Sequence, residues 1–336
     1  NLFEDNGIKF FNKDGQKFSS ELENRIETKL TQEMIGVESI NLGKASRMSD
    51  AQGRYIEFCK SSFTDLDLNG LSILLDCANG ATYSVAPKVF SELGANVETI
   101  GASPDGININ QNCGSTSPDK IKEAIIKGSY DIGIAFDGDG DRILIVNSDG
   151  EVLDGDDILY ILSKEIPDNS GVVGTLMTNK ALELHFQNEG IEFTRADVGD
   201  KYVLQRLIER SWFLGGEPSG HIICLDSAPT GDAIVAALKL LNAIKDNGFS
   251  VENSLEGFQK FPQTLINLKV NNPNKIIISD KFWEKVTEIE LQLGDDGRVL
   301  IRPSGTEPLI RIMVESKDTA ISENLCNSLA DLAQRI

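Results

Sequence analysis

From about Leu71 the sequence alternates short apolar runs with segments whose apolar residues recur at helical spacing. The first round contains the runs LSILL, ANVETI and DIGIAF, with helix-like segments around them, and a second round of the same kind begins near Asp154. Strands that alternate with helices are typical of βαβ units built around a largely parallel sheet. The pattern therefore predicts two successive α/β domains.

The last part of the chain has a different pattern. A long helical pattern within 231–246 is followed by a break at Phe261 and Pro262. After the break come the strand-like runs TLINLKV, GRVLIR and LIRIMVE, with one helix pattern between the first two and another at the end of the chain. This order predicts a small α+β domain with an antiparallel sheet. We therefore divide the chain into residues 1–51, 52–150, 151–261 and 262–336.

Composition excludes several classes of protein. The chain has 32 basic and 52 acidic residues and a formal charge of −20, so its surface repels polyanions and we expect no nucleic-acid partner. No apolar stretch reaches the roughly 18 residues that a membrane span needs. The five cysteines are scattered without C-x-x-C spacing, which indicates reduced thiols rather than disulfides or zinc ligands. We expect a cytoplasmic protein with no membrane partner.

An acidic loop follows the run DIGIAF directly. Asp137, Asp139 and Asp141 alternate with glycines and are followed by Arg142. The loop lies at the carboxyl end of a predicted buried strand, where α/β sheets place their ligand sites, and three carboxylates there suit Mg²⁺. A calcium-binding helix-loop-helix is excluded, because its sixth position needs Gly rather than Arg142 and its twelfth needs Glu rather than Ser148. A solvated acidic turn is the alternative.

A basic loop connects two predicted strands of the last domain. Arg302 and Arg311 bracket Ser304, Gly305 and Thr306. Guanidinium groups, hydroxyls and unhindered backbone N–H groups are suited to a phosphate that is bound but not transferred. The alternative is an ordinary polar turn, but a basic loop in so acidic a chain favours an anion site.

A third loop, residues 215–221, places Glu217, Ser219 and His221 among glycines after an apolar run. Such a loop can direct acceptors at sugar hydroxyls, although a structural turn explains it equally well. It does not match the G-x-S-x-G motif of acyl-transfer hydrolases. The second histidine, His185, lies within a helix pattern, and we assign it no role.

Taken together, DGDGDR, GEPSGH and RPSGTEPLIR, in this order and spacing, resemble the loops of the α-D-phosphohexomutase family. Other segments, including GRYIEFCK, LDCANGATY and VGDKYV, are similar to the branch of that family that acts on glucosamine phosphates. The resemblance extends essentially over the whole chain. It implies two family-type βαβ domains with mixed sheets, a remnant of a third such domain over residues 1–51, and a C-terminal α+β domain with an antiparallel sheet.

The opening segment NLFEDNGIK is similar to the tail of the family's serine loop, whose serine carries the phosphoryl group. In that alignment the serine lies two residues before Asn1, so we expect this chain alone to be inactive as a mutase. Leu2 stands where the family usually has proline. Lys9 matches the family lysine near the transferring phosphoryl group.

The resemblance also implies a role for each loop residue. The metal ligands would be Asp137, Asp139 and Asp141, and the catalytic residues Lys9, Arg142 and His221. Glu217 and Ser219 would hold sugar hydroxyls, and Lys201 is a further candidate for substrate contact. The distal phosphate would be held by Arg302, Ser304, Gly305, Thr306 and Arg311. Pro218 stands where the glucosamine branch more often has a polar amide.

The implied reaction interconverts glucosamine 6-phosphate and glucosamine 1-phosphate and supplies UDP-N-acetylglucosamine for cell-envelope synthesis. It uses Mg²⁺, an enzyme phosphoserine and a hexose or hexosamine 1,6-bisphosphate as intermediate and activator. The expected partner is a small phosphosugar, and a homodimer is compatible with the resemblance. A phosphomannomutase or phosphoglucomutase and a non-catalytic phosphosugar-binding protein are the alternatives.

Overall fold

The structure is a computed structural model that describes residues 2–5, 7, 9–13, 15, 17–33, 35–270, 272–303 and 308–336. The α-helices are α1 (Ser20–Leu30), α2 (Ala51–Ser61), α3 (Ala86–Glu92), α4 (Asp119–Lys127), α5 (Gly155–Ser163), α6 (Lys180–Glu189), α7 (Asp200–Arg210), α8 (Ala233–Ile244), α9 (Val251–Ser254), α10 (Pro273–Ile277), α11 (Asp280–Leu293) and α12 (Thr319–Gln334). The strands are β1 (Ser72–Asp76), β2 (Asn96–Ile100), β3 (Ile132–Phe136), β4 (Ile143–Asn147), β5 (Val152–Leu153), β6 (Gly171–Thr175), β7 (Glu192–Ala196), β8 (Leu214–Gly216), β9 (Ile222–Cys224), β10 (Gln263–Lys269), β11 (Gly297–Pro303) and β12 (Leu309–Ser316).

The chain groups into two compact units. Unit 1 comprises Asn1–Met177 and Ile191–Glu256, and unit 2 comprises Thr178–Gly190 and Gly257–Ile336. Helix α6 lies in a predicted α/β region of the sequence but groups with the last part of the chain. Within the described residues, no helix is both long enough and apolar enough to cross a membrane.

Unit 1 contains two mixed sheets, as the resemblance to the family implies, whereas the sequence pattern alone predicted largely parallel ones. The first has the order β2-β1-β3-β4-β5, with β1 parallel to β2 and β3 and with β4 and β5 antiparallel. The second has the order β7-β6-β8-β9, with β6 parallel to β7 and β8 and with β9 antiparallel. Every residue of β3 is buried, as expected for a strand inside a sheet covered on both faces. The acidic loop follows this strand, and the third loop connects β8 to β9.

Helix α5 illustrates how local sequence fixes an element of unit 1. The Asp154 side chain accepts hydrogen bonds from the backbone N–H groups of Asp156 and Asp157, and the Asp157 side chain bonds back to Asp154, which forms a capping box. This acidic run is therefore the start of a helix. All nine residues of α5 are buried. The capping box therefore satisfies backbone N–H groups at a helix start that water does not reach.

Unit 2 contains the predicted antiparallel sheet, with the order β10-β12-β11. Helices α11 and α12 cover it with apolar side chains, among them Phe282 and Leu329. Glu315, which is fully buried, accepts bonds of 2.7 and 3.0 Å from the Arg298 guanidinium and one of 2.9 Å from the backbone N–H of Lys180. The bond from Lys180 ties the start of α6 to the sheet.

Candidate active site

Asp137 organises the acidic loop through hydrogen bonds. Its side chain is buried, and Oδ1 accepts bonds of 3.1 Å from the backbone N–H groups of Gly140, Asp141 and Arg142. Its Oδ2 accepts a bond of 3.0 Å from Arg142 Nε. The chain can turn back on Asp137 because Gly140 adopts a φ of +76°, which disfavours a side chain. The alternating glycines therefore allow the loop to fold around one carboxylate.

The three aspartates are close enough together to hold one hard cation between them. Asp137, Asp139 and Asp141 each offer an oxygen, and these atoms lie within 4.8 Å of one another. Burial, reinforced by the charges of Asp141 and Asp139, raises the pKa of Asp137 to about 6. Three ionised carboxylates this close repel one another unless a cation lies between them. An all-oxygen set of this kind fits Mg²⁺, which takes few protein ligands and keeps positions for water or phosphate oxygens.

Lys9 lies against the same loop. Its ammonium donates hydrogen bonds to Asp139 and, over 2.8 Å, to Asp141. Partial burial lowers the pKa of Lys9, but the bonds to the two carboxylates outweigh it and raise that pKa above its ordinary value. The Lys9 side chain is 49 % exposed, so its positive charge lies beside the acidic loop and remains accessible to solvent. The resemblance to the family placed Lys9 near the reacting phosphate, and the structure places it beside the aspartates.

The loop between β8 and β9 is fixed to the end of the acidic loop. The Ile143 backbone N–H donates to the carbonyl of Gly220 over 3.0 Å, and Gly220 adopts a φ of +89°. A Cβ on Gly220 would lie 1.9 Å from the Ile143 carbonyl oxygen, so only glycine fits this close approach. Glu217 accepts a bond of 2.5 Å from the Gly199 backbone N–H and one of 3.4 Å from the Ser219 hydroxyl. The contacts thus orient the Glu217 carboxylate from two directions.

His221 is buried between two carboxylates. Its Nδ1 lies 3.6 Å from Asp141 Oδ1, and its Nε2 lies 3.6 Å from Asp200 Oδ2. Asp200 in turn accepts a bond from the Lys17 ammonium. Asp200 and Lys17 escaped the sequence analysis, although Asp200 lies in the VGDKYV segment that singled out Lys201. The Lys201 ammonium instead donates to Ser20 and Glu23, over 2.7 and 2.8 Å.

A cavity of about 920 Å³ in unit 1 brings the predicted residues together. Its lining includes Lys9, Asp139, Asp141, Arg142, Glu217, Ser219 and His221, together with Lys17 and Asp200. Lys201 is not among the described residues that line it. The cavity therefore combines carboxylates for a cation, positive groups for an anion and acceptors for hydroxyls. This combination suits a phosphorylated sugar.

Unit 2 places two arginines directly opposite each other on neighbouring strands. Arg302 on β11 and Arg311 on β12 are direct cross-strand partners, so their side chains share one face of the sheet. Burial, and then the charge of Arg311, lower the pKa of Arg302. The Nε of Arg311 is buried and has no hydrogen-bond partner within the described part of the chain. Like charges placed opposite each other are destabilising, so this pair favours an anion between them.

The tip of the basic loop lies outside the described residues. This part includes Ser304, Gly305 and Thr306, which the sequence analysis assigned to a distal phosphate. The strands that flank it are paired in register from Gly297 with Ser316 to Pro303 with Ile310. The predicted connection between two antiparallel strands is thereby confirmed.

Comparison with family models matches most of the chain to one family. The models described as "Phosphoglucomutase/phosphomannomutase" match in three parts. These are alpha/beta/alpha domain II over residues 53–150, alpha/beta/alpha domain III over residues 154–261, and the C-terminal domain over residues 265–332.

Curated relatives are much more similar to this chain in sequence than the solved structures are. Phosphoglucosamine mutase of Legionella pneumophila (strain Corby) is 49% identical over 345 residues, which cover 100% of this chain and 76% of the relative. Phosphoglucosamine mutase of Aeromonas salmonicida (strain A449) is 50% identical over 341 residues, which cover 100% of this chain and 75% of the relative. This chain thus spans about three quarters of the length of these relatives.

Solved structures share the fold. The N-acetylphosphoglucosamine mutase of Aspergillus fumigatus, in complex with GlcNAc-6P and magnesium, has a TM-score of 0.71 at 18% identity, covering 85% of this chain and 66% of that one. A phosphoglucomutase/phosphomannomutase family protein of Burkholderia thailandensis has a TM-score of 0.70 at 23% identity, covering 84% of this chain and 64% of that one. This chain spans just under two thirds of each structure. At these identities the likeness concerns the fold alone.

Proposed function

This chain belongs to the phosphoglucomutase/phosphomannomutase family, and from that premise we propose that it is the larger part of a phosphoglucosamine mutase. The reaction interconverts glucosamine 6-phosphate and glucosamine 1-phosphate. The main support for the proposal is the cavity that is lined by the acidic loop, Lys9 and the β8–β9 loop together. The identity of about half of all residues with named phosphoglucosamine mutases supports the choice of sugar.

The aspartate loop would hold the metal. Asp137, Asp139 and Asp141 are the proposed ligands of Mg²⁺, because their oxygens converge and their mutual repulsion calls for a cation. When bound, Mg²⁺ supplies positive charge that offsets the charge of a transferring phosphoryl group. Arg142, which Asp137 orients through its Nε, would contact the same phosphoryl group.

Side chains of the cavity would bind and orient the sugar. The Lys9 ammonium offsets charge on the transferring oxygens, and it lies close enough to the aspartates to act beside a metal. Glu217 would accept hydrogen bonds from sugar hydroxyls, and the Ser219 hydroxyl would accept or donate them. His221 lies next to the reacting oxygen. Lys201 is left out of this set, because its ammonium binds side chains of the α1 region.

The arginine pair would bind the phosphate that is not being transferred. Arg302 and Arg311 present like charges on one face of the unit 2 sheet, and an anion relieves their repulsion. Ser304, Gly305 and Thr306 are proposed to complete this site with hydroxyl and backbone donors. A spectator phosphate held here fixes the substrate without taking part in bond breaking.

The proposed chemistry consists of two phosphoryl transfers. An enzyme phosphoserine gives its phosphoryl group to the free 1-hydroxyl of glucosamine 6-phosphate, which yields the 1,6-bisphosphate and a free serine. The serine then takes the 6-phosphoryl group, which leaves glucosamine 1-phosphate and restores the phosphoserine. Both transfers would use the same metal ion and the same charged side chains, because each phosphoryl group must in turn reach the acidic loop.

One observation favours a second candidate. The family models carry the names of phosphoglucomutase and phosphomannomutase, so glucose or mannose phosphates are the alternative substrates. The sugar is chosen by hydroxyl and amine contacts in the cavity, whereas the metal and phosphate sites suit all three sugars.

The test compares turnover of glucosamine, glucose and mannose 6-phosphates by the full-length gene product in the presence of Mg²⁺. We expect glucosamine 6-phosphate to have the highest kcat/KM. Asp139→Asn should abolish turnover, whereas Asp295→Asn, in an exposed acidic turn of unit 2, should leave it unchanged. Preference for glucose or mannose phosphate supports the second candidate. Binding without turnover of any of the three contradicts the proposed enzyme.

A further inference from the structure

The buried imidazole of His221 has charged groups on two sides. Its Nδ1 faces Asp141 and its Nε2 faces Asp200, each over 3.6 Å. The Nε2 atom is buried and forms no hydrogen bond within the described residues. The backbone closes a third side, because a Cβ on Gly231 would lie 2.1 Å from this nitrogen. Asp200 is therefore the charged group that meets the Nε2 edge of the ring.

Asp200 is itself held from the other side. The Lys17 ammonium donates to Asp200 Oδ2, the same oxygen that faces His221. Burial alone would raise the pKa of Asp200, but the bond from Lys17, together with the other neighbouring groups, outweighs burial and lowers that pKa below its ordinary value. The two side chains are only 24 % and 27 % exposed. The carboxylate is thus charged, partly buried and fixed on two sides.

The N-terminal segment brings Lys17 to this place together with Lys9. Lys17 forms an antiparallel bridge with Phe11, so Lys9 and Lys17 lie on opposite arms of one short hairpin. Lys9 binds Asp141, and Lys17 binds Asp200. The side chains follow one another in the order Lys9, Asp141, His221, Asp200, Lys17, so that each carboxylate lies between two nitrogen-bearing side chains, and all five line the same cavity.

We propose that Asp200 is a positioning residue of the site: its carboxylate fixes the orientation of the His221 ring, and Lys17 holds that carboxylate in place. The proposal rests on the proposed function, in which His221 lies beside the reacting oxygen. A catalytic ring must be held within a fraction of an ångström, and misplacement by about 1 Å can cost roughly 100-fold in rate.

Two simpler roles for Asp200 make different predictions. As the first residue of α7, Asp200 also interacts favourably with the helix dipole, but that role does not involve His221. Alternatively, Asp200 serves only to anchor the hairpin through Lys17. In that case the identity of the two charges does not matter, and exchanging them preserves the contact. The orientation of the His221 ring separates these roles from positioning.

The first experiment observes the ring directly in the chain itself, without turnover. The sequence contains only two histidines and two tryptophans, so ¹⁵N-labelled side-chain NMR signals are few and assignable with a His185→Gln variant. Asp200→Asn keeps the shape and removes the charge, and it should shift the ring-nitrogen signals of His221. The matched control is Asp226→Asn, which breaks another lysine-paired carboxylate of unit 1 and should leave them in place. An unchanged Trp212 indole signal shows that α7 still packs on its core.

The second experiment measures turnover of glucosamine 6-phosphate by the full-length gene product. Asp200→Asn should lower kcat about 10- to 100-fold with little change in KM, because the ring is displaced while the substrate contacts remain. Asp200→Glu should recover part of the loss. The charge-exchanged variant Lys17→Asp with Asp200→Lys should recover none of it, since an ammonium then faces His221.

Each outcome decides the proposal. His221 signals that stay in place in Asp200→Asn overturn it, and so does recovery of turnover by the charge-exchanged variant. If the parent protein fails to turn over any phosphosugar, the proposed function fails. The NMR comparison still decides whether Asp200 holds the ring.

Discussion

Replacing Arg311 by Met should weaken substrate binding and stabilise the unbound protein at the same time. Arg311 lies directly across the sheet from Arg302, and its Nε is buried without a hydrogen-bond partner in the described part of the chain. If this face of the sheet serves to bind a phosphate, the unbound protein retains an unfavourable pair of charges for that purpose. Removing one charge therefore has opposite effects on binding and on stability.

The loss of substrate affinity and the gain in stability of the unbound protein can both be estimated from typical interaction energies. A hydrogen bond to a charged group contributes about 1.5–3 kcal/mol, so loss of the Arg311 contact should weaken phosphosugar binding by about 10- to 150-fold. Cross-strand pairs contribute about 0.2–1 kcal/mol, so relief of the repulsion with Arg302 should stabilise the unbound protein by about that amount. Met also fills the half-buried space with an apolar chain, which adds to the second effect.

The assay combines calorimetric titration of glucosamine 6-phosphate with thermal unfolding of the unbound protein. Arg311→Lys keeps the charge but loses the forked geometry, so its affinity should fall between those of the parent and Arg311→Met. Arg206→Met is the matched control, because the Arg206 side chain is 43 % exposed on α7 and pairs only with Glu209 over 3.2 Å in the described structure. Unchanged affinity in Arg311→Met would refute the phosphate assignment. A large loss of stability would show instead that Arg311 is a structural residue.

Three further predictions concern the acidic loop, unit 1 and unit 2. Burial, with the neighbouring carboxylates, raises the pKa of Asp137 to about 6, so its ionisation costs folding free energy as the pH rises through that value. Protons therefore compete with Mg²⁺, and titration calorimetry should find weaker Mg²⁺ binding at pH 5 than at pH 7.5; equal affinity would contradict the raised pKa. Gly220→Ala should lower the stability of unit 1 by more than about 1 kcal/mol in denaturant unfolding, because its Cβ would overlap the Ile143 carbonyl; a neutral effect would show that this loop can move away from β4. Arg298→Met leaves the buried Glu315 charge uncompensated, and it should destabilise unit 2 by about 3–5 kcal/mol in hydrogen exchange, with Arg335→Met as the unaffected control.

Local patterns in the sequence were enough to predict most of the elements. The run DIGIAF became the buried strand β3, the helical pattern within 231–246 became α8, and the C-terminal runs became an antiparallel sheet. Periodicity and capping act over a few residues, so one sequence contains the information for them. Helices α1 and α2 were not predicted. Neither buries more than two residues, so their apolar pattern is weak.

The sequence by itself determined which chemical groups each loop carries, because the loop residues are neighbours along the chain. Only the tertiary structure decided how those residues are held. Lys17 and Asp200 are 183 positions apart, and Lys9 and Asp139 are 130 apart, so their pairing depends on how the strands and helices pack. The same packing placed Lys201 against α1 and Asp200 against His221. Such contacts are set by the folded backbone in three dimensions, and no local pattern specifies them.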